Sequence, residues 1–140
     1  MTRHAYNSTL PPGVPLKRSW IKSKPRKHKY NAKRLFRDGR VWDSTGEYER
    51  YAQLKLIAFA GEISELECQP TYELTRARIK YRADYTYIEN GRRISEDFKG
   101  VRTPRFNIIC KLWRYYGPHL LRITGRKRGG FTVTKEIMPE

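Results

Sequence analysis

The sequence predicts an α/β fold in which a strand hairpin carries the candidate site and helices flank a sheet. Three features predict it: a capped helix starting near residue 45, an Asn90-Gly91 turn between two strand-forming runs, and a second capped helix at Thr103 with further strands after it.

The 140 residues suit one domain, and a core of that size needs no disulfide or structural metal. Residues 1–29 hold Pro11, Pro12, Pro15 and Pro25 among basic residues, a composition that favours extended chain and predicts an arm before a domain of residues 30–140. Trp20 and Ile21 are its one strongly apolar pair. Gly39 then marks a turn between two short extended pieces ending at Val41 and Trp42.

Ser44 and Glu47 form an S-x-x-E capping box and Gly61 supplies a stop, so a helix is expected from about 45 to 60. Glu47, Tyr51, Leu54 and Ala58 share one stripe, with Tyr48 and Ile57 beside it, and this stripe should face a sheet. Ile63 to Leu74 reads as a strand with a bulge or an edge position at Gln69-Pro70. Strand formers dominate from Ile79 to Ile88, Asn90-Gly91 turns the chain, and Arg93 to Lys99 returns. Thr103 caps a helix with Pro104 in its first turn and Phe106, Ile109, Trp113 and Tyr116 on its apolar face. Leu120 to Thr124 and Phe131 to Ile137 are strands separated by a basic loop at 125–130.

Charge points to a polyanionic partner. Lys and Arg number 30 against 14 Asp and Glu, a net charge of +16. Residues 1–40 hold 12 of the cations against Asp38 alone, a local +11, which leaves 18 cations against 13 acids in the other 100 residues. The arm residues Lys17, Arg18, Lys22, Lys24, Arg26, Lys27 and Lys29 are therefore candidate nucleic-acid contacts, against a solvated tail or an RNA-binding arm of the ribosomal kind. Lys111, on the polar face of the second helix with Asn107 and Arg114, is a further candidate phosphate contact. With no apolar run of 18 residues and no signal-peptide core, the protein is expected inside the cell, in the host cytoplasm if phage-encoded. Cys68 and Cys110 read as reduced core residues, and His4, His28 and His119 as surface or tail residues.

The chemistry gathers on the hairpin. A two-residue turn at Asn90-Gly91 pairs residues whose numbers sum to 181, which sets Asp84 opposite Asp97 with Cβ atoms about 4.5 to 5.5 Å apart. Like charges so placed repel, and a compensating cation is expected. Lys99 shares the face of Asp97, while Tyr85, Tyr87, Ile94, Glu96 and Phe98 share the other. The first helix is expected on the carboxylate face, where Glu47 is the one acid on its apolar stripe. Carboxylate oxygens bind Mg²⁺ and a lysine positions water or offsets charge, the needs of phosphodiester hydrolysis. The simpler readings are solvated aspartates paired with Arg82 and Lys99, and a Glu47 that only caps its helix. Gln69 reads either as a site-lining residue or as a strand glutamine satisfying backbone groups.

Asp84 followed by Asp97-Phe98-Lys99, with Glu47 upstream on a helix, resembles the PD-(D/E)XK nuclease superfamily. Val41 to Pro70, with its D-S-T-x-E helix start, the A-G-E-I turn at Ala60 to Ile63 and Gln69-Pro70, resembles a family of phage proteins similar to phage endonuclease I and Holliday-junction resolvases. The resemblance spans roughly residues 28–124, and Ala83 stands where the motif is named for proline. It implies a restriction-endonuclease-like core with a central mixed β-sheet, Mg²⁺ dependence with Mn²⁺ as an alternative, and a homodimer that cuts branched DNA. By residue it makes Glu47, Asp84, Asp97 and Lys99 catalytic and the three acids metal ligands. The alternatives are a duplex or nicking nuclease of the same superfamily, and a basic nucleic-acid-binding module without catalysis. Trp20, Ile21 and the strand at Phe131 to Ile137 are the candidate dimer surfaces.

Overall fold

The computed structural model describes residues 33–140. The predicted arm, with its candidate contacts Lys17, Arg18, Lys22, Lys24, Arg26, Lys27 and Lys29 and the pair Trp20 and Ile21, lies outside the described residues.

The described chain is α/β, with a mixed five-stranded sheet and two helices. Its elements are β1 (Leu35–Arg37), β2 (Arg40–Trp42), α1 (Thr45–Phe59), β3 (Ile63–Cys68), β4 (Thr71–Leu74), β5 (Ile79–Arg82), β6 (Tyr85–Glu89), β7 (Arg92–Phe98), α2 (Pro104–Tyr116), β8 (Leu120–Lys127) and β9 (Gly130–Ile137). The main sheet has the order β3-β6-β7-β8-β9, and β1-β2 and β4-β5 form separate two-stranded ribbons. Only the β7–β8 pair is parallel, because the α2 crossover joins those strands, whereas β6–β7 and β8–β9 are hairpins. No described helix is long and apolar enough to cross a membrane.

Local chemistry accounts for the ends of the elements. Ser44 Oγ accepts from the Glu47 N–H at 3.1 Å and Glu47 Oε2 accepts from the Asp43 N–H at 3.1 Å, so the box closes on a donor one residue upstream of the usual N-cap amide. Gly61, at φ +80°, ends α1 in a Schellman turn, with the Glu62 N–H donating to the Ile57 carbonyl and the Gly61 N–H to Ala58. Asn90 and Gly91 both have positive φ, 50° and 73°, as a type I′ turn demands, and pairs such as Tyr85 with Glu96 and Tyr87 with Ile94 realise the expected register.

Three boundary expectations are corrected. The bulge in β3 falls at Glu65, with the register shifting between Ser64 and Glu67, and Gln69-Pro70 instead ends the strand and starts a new ribbon. The single strand expected from Ile79 to Ile88 breaks at Ala83-Asp84 for the same reason: the long hairpin bends there, tied by Gln69 N–H to Asp84 C=O at 2.7 Å and Ala83 N–H to Pro70 C=O at 3.1 Å. The loop expected over 125–130 narrows to a turn at Arg128-Gly129, since β8 and β9 keep pairing out to Lys127 with Gly130.

Each sheet face carries one core. Leu54 of α1 packs with Trp42, Ile63, Tyr85, Tyr87 and Ile94, with Tyr48, Tyr51 and Ile57 around them. Phe106, Ile109, Cys110 and Trp113 of α2 pack with Ala83, Leu121, Ile123 and Ile137 on the opposite face. Tyr116, expected on the apolar face of α2, is exposed; Cys110 takes the place in the core. The expectation that α1 covers the carboxylate face is therefore overturned. It lies on the tyrosine face, because Tyr85 and Tyr87 offer far more apolar area than the aspartates opposite, and α2 covers the other side.

The first turn of α1 presses on the hairpin at Gly46, where a Cβ would stand 2.6 Å from Phe98 Cε1 and 2.8 Å from Cζ. An exposed helix Gly→Ala change stabilises by up to about 1 kcal/mol. Here Gly46→Ala is expected to lower Tm instead, because the Phe98 ring is held edge-on against Phe131 at 5.7 Å. Adding Phe98→Leu should restore it. A single variant melting above wild type would show that the ring yields freely.

Candidate active site

The predicted acids meet where the hairpin bends. Asp84 is the last residue before β6, its N–H donating to the Glu96 carbonyl at 3.1 Å, so the ladder that pairs Tyr85 with Glu96 places Asp84 opposite Asp97. Asp84 Oδ2 accepts the Phe98 N–H at 2.6 Å, which fixes this carboxylate across the two strands. Ala83 contributes its own amide to the bend, a bond that proline cannot make.

Asp97 is 1% exposed. Neither of its oxygens has a hydrogen-bond partner. Lys99 Nζ stands 2.9 Å from Oδ2, an ion pair whose angle does not make a hydrogen bond, and the same ammonium lies 4.8 Å from the centre of the Phe106 ring. The Tyr81 hydroxyl is likewise buried without a partner.

Electrostatics follow from this crowding. Burial, then the charge of Asp97, then that of Glu47, hold the Asp84 carboxyl well above the usual carboxylate range, with Lys99 offsetting part. Burial pulls the Lys99 ammonium down, but Asp97, Asp84 and Glu47 more than reverse this and it stays charged. Burial and then Asp97 push the Tyr81 phenol up, so Tyr81 remains a neutral donor. Two carboxyls held this close repel when both are ionised, and Lys99 offsets only part of that repulsion, so a further cation between them is favoured.

Glu47 arrives by a different route from the one expected. It starts from α1 on the far face and reaches the end of the sheet beside the bend, because the Tyr85 hydroxyl donates to the Glu47 carbonyl at 2.5 Å and anchors that turn. It is 4% exposed. Burial raises its pKa, partly offset by the Asp43 amide and by a bond with Gln69, so Gln69 lies at the site's edge. Its oxygen on the Asp43 amide keeps Glu47 in the capping role.

The buried carboxylate of Asp97 and the half-buried one of Asp84, whose Oδ1 has no hydrogen-bond partner among the described residues, fit Mg²⁺ or Mn²⁺, which need one or two carboxylates and complete their shells with water and phosphate oxygens. Among the described residues, no three His, Cys, Asp or Glu side chains gather closely enough to hold an ion. Asp84 and Asp97 are the residues that would hold it; Glu47 keeps one oxygen on the Asp43 amide and would have to move closer to join them through the other.

A cleft of about 360 Å³ opens beside Asp84 and Lys99, with Asp43, Lys80, Arg82 and Arg105 also on its wall and Asp97 buried behind it. Lys80 and Arg105 escaped sequence reading, and Arg82, read there as a salt-bridge partner of the strand aspartates, pairs with Asp43 at 3.3 Å. They come from β5 and from the first turn of α2, and no spacing joins them to the hairpin. Lys111 lies elsewhere, in a separate cavity between α2 and β9. His119, expected at the surface, is half-buried, with Nε2 2.7 Å from Ser95 Oγ and 3.4 Å from the Tyr72 hydroxyl, because Trp113 Nε1 donates to its carbonyl and draws it in.

Fold and site together define an α/β domain whose central hairpin holds an acid pair, one of them buried, beside a lysine. The chain belongs to the family described as a protein of unknown function, DUF1064, whose match covers residues 27–125 and so contains Glu47, Asp84, Asp97 and Lys99. No match was found among curated proteins or among solved structures.

Proposed function

We propose that the protein is a metal-dependent DNA endonuclease of PD-(D/E)XK type that acts on branched DNA as a homodimer, a Holliday-junction resolvase of phage kind. One observation carries the reading: the buried carboxylate of Asp97, with no hydrogen bond and Lys99 2.9 Å away, stands across the hairpin from Asp84, and Asp84 and Lys99 line a basic cleft. A module that only bound nucleic acid would have no use for this repulsive pair at the place where phosphates dock.

Each residue has a task. Asp84 and Asp97 hold the cation, and the Phe98 amide keeps Asp84 aimed. A bound Mg²⁺ supplies Lewis acidity at the phosphoryl oxygen and an acidified water as nucleophile. Lys99 carries its charge to the oxygens of the pentavalent transition state, and its ion pair with Asp97 sets where that charge sits. Lys80, Arg82 and Arg105 bind flanking phosphates, which fixes the strand without reading bases.

A dimer fits the need for two symmetric cuts. Exposed apolar side chains lie on α1, at Leu56 and Phe59, on the β1–β2 ribbon, at Phe36 and Val41, and on α2, at Ile108, Tyr115 and Tyr116. They suit a two-fold contact better than β9, an edge strand interrupted by a register shift opposite Ile123 and Thr124.

The test compares a four-way junction, linear duplex and single strand, each with Mg²⁺ and with chelator, in salt high enough to suppress non-specific attraction. Paired cleavage of the junction at least tenfold faster than the duplex is expected. Equal rates on duplex would favour the duplex or nicking nuclease, and no cleavage of any DNA would leave the non-catalytic module.

A further inference from the structure

Helix α2 separates two basic cavities, and only one of them holds carboxylates. The second, of about 380 Å³, lies between α2 and β9 and is lined by Asn107, Cys110, Lys111, Arg114, Lys135 and Ile137. Asn107, Lys111 and Arg114 form one stripe at i, i+4 and i+7, and Lys135 enters from the edge strand. No acid lines the cavity. Among the described residues, none of these three cations takes part in an ion pair, whereas Arg50, Arg78, Arg82, Arg93, Arg122 and Arg126 all do. Glu136, next to Lys135, is drawn away to Arg122 at 2.8 Å.

Three positive charges from two elements converge on a concave surface with an amide donor and no counter-charge, an arrangement that favours an anion. The distance along the helix is informative. Arg105 lines the cleft with the carboxylates and Lys111 lines the second cavity, about 9 Å further along the axis at 1.5 Å per residue. The two lie about 120° apart around the helix, so DNA that fills the cleft reaches the second cavity only by passing over α2.

We propose that the cavity formed by Asn107, Lys111, Arg114 and Lys135 is a second phosphate site, which holds the backbone of the substrate DNA away from the strand position being cut. It rests on the DNA-cleavage reading for its ligand, and on the cavity's own charge for its existence. The site acts on affinity and not on the chemical step, since none of its groups approaches Asp84 or Asp97 closely enough to line their cleft.

The test uses the full chain with Lys111→Ala, Arg114→Ala and Lys135→Ala combined, all at exposed positions. Binding of a labelled duplex by anisotropy over a salt series should lose about 0.9 from the log-log slope for one phosphate released. Junction cleavage should show KM raised about tenfold with the change in kcat under twofold. A control carrying Lys55→Ala and Arg76→Ala, cations on other surfaces, should shift neither. Unchanged slope and KM in the triple variant, with wild type cleaving normally, would overturn the second site and leave the nuclease reading in place. An equal loss in the control would show diffuse attraction and overturn it too. If wild type cuts no DNA yet the triple variant still loses slope, the nuclease reading fails and the phosphate site stands. Amide shifts at Asn107 and Lys135 with inorganic phosphate but none with duplex would make it a site for free anion, against the proposal.

Discussion

Asp97→Asn is expected to reduce junction cleavage by at least about a hundredfold while DNA affinity stays within about twofold. The charge it removes is the one that serves the cation, and losing one well-placed electrostatic group at a reacting centre is worth roughly two to three orders of magnitude. In the proposed function affinity rests on Lys80, Arg82, Arg105 and the other cations, which the change leaves alone. Stability separates this from a folding defect. With chelator present, the variant should melt at or above the wild-type temperature, because the repulsion from Asp84 is gone and Asp97 satisfies no other polar group except Lys99. A clear fall in Tm without metal, or a loss of binding equal to the loss of activity, would make Asp97 a structural residue.

The neighbouring acid should behave in the opposite way. Glu96 is fully buried on the tyrosine face, accepting from Arg50 at 2.5 and 3.0 Å, from the Tyr87 hydroxyl at 2.6 Å and from Thr124 Oγ1 at 2.9 Å. Its removal leaves the Arg50 guanidinium, only 11% exposed, without a counter-charge between α1 and the sheet. Breaking such a pair from one side costs about 3 to 5 kcal/mol. Glu96→Ala should thus lower Tm by roughly 10 to 20 °C for a domain of this size. Glu96→Leu combined with Arg50→Met should recover a large part, since the stranded charge goes with it. If Glu96→Ala kept its Tm and lost cleavage, the two acids would have exchanged roles and the strand register would be off by one residue.

That contrast between Glu96 and Asp97 marks what could be read from the sequence. Asn90-Gly91 fixes a two-residue turn, the turn fixes the sum of 181, and parity then separates the two adjacent acids onto opposite faces. Ser44, Glu47 and Gly61 bound α1 for equally local reasons. What sequence could not supply is which helix covers which face. Ile94, Ser95, Glu96 and Asp97 are all buried, so the alternation that marks a half-solvated strand is lost in β7, which is covered on both sides. Glu47 accordingly comes near Asp84 from the tyrosine face and not from the carboxylate face. The bend at Ala83-Asp84 was also hidden, since it depends on bonds to Gln69 and Pro70 that no short-range pattern reports. Lys80, Tyr81, Arg82 and Arg105 reach the cleft through that bend and through the start of α2. In a chain with 30 Lys and Arg, their spacing alone could not single them out.

The account depends above all on a cation joining Asp84 and Asp97, and this can be tested without knowing the substrate. Thermal melting of the full chain with increasing Mg²⁺, compared with Asp84→Asn and Asp97→Asn, reads it directly, because a ligand that binds only the folded state stabilises by RT ln(1 + [L]/Kd). Tm of the wild type should rise with Mg²⁺, by about 2.7 kcal/mol in stability at a hundred times Kd, and neither variant should respond. A wild type whose Tm is flat across the Mg²⁺ series, or variants that rise in step with it, would contradict the account.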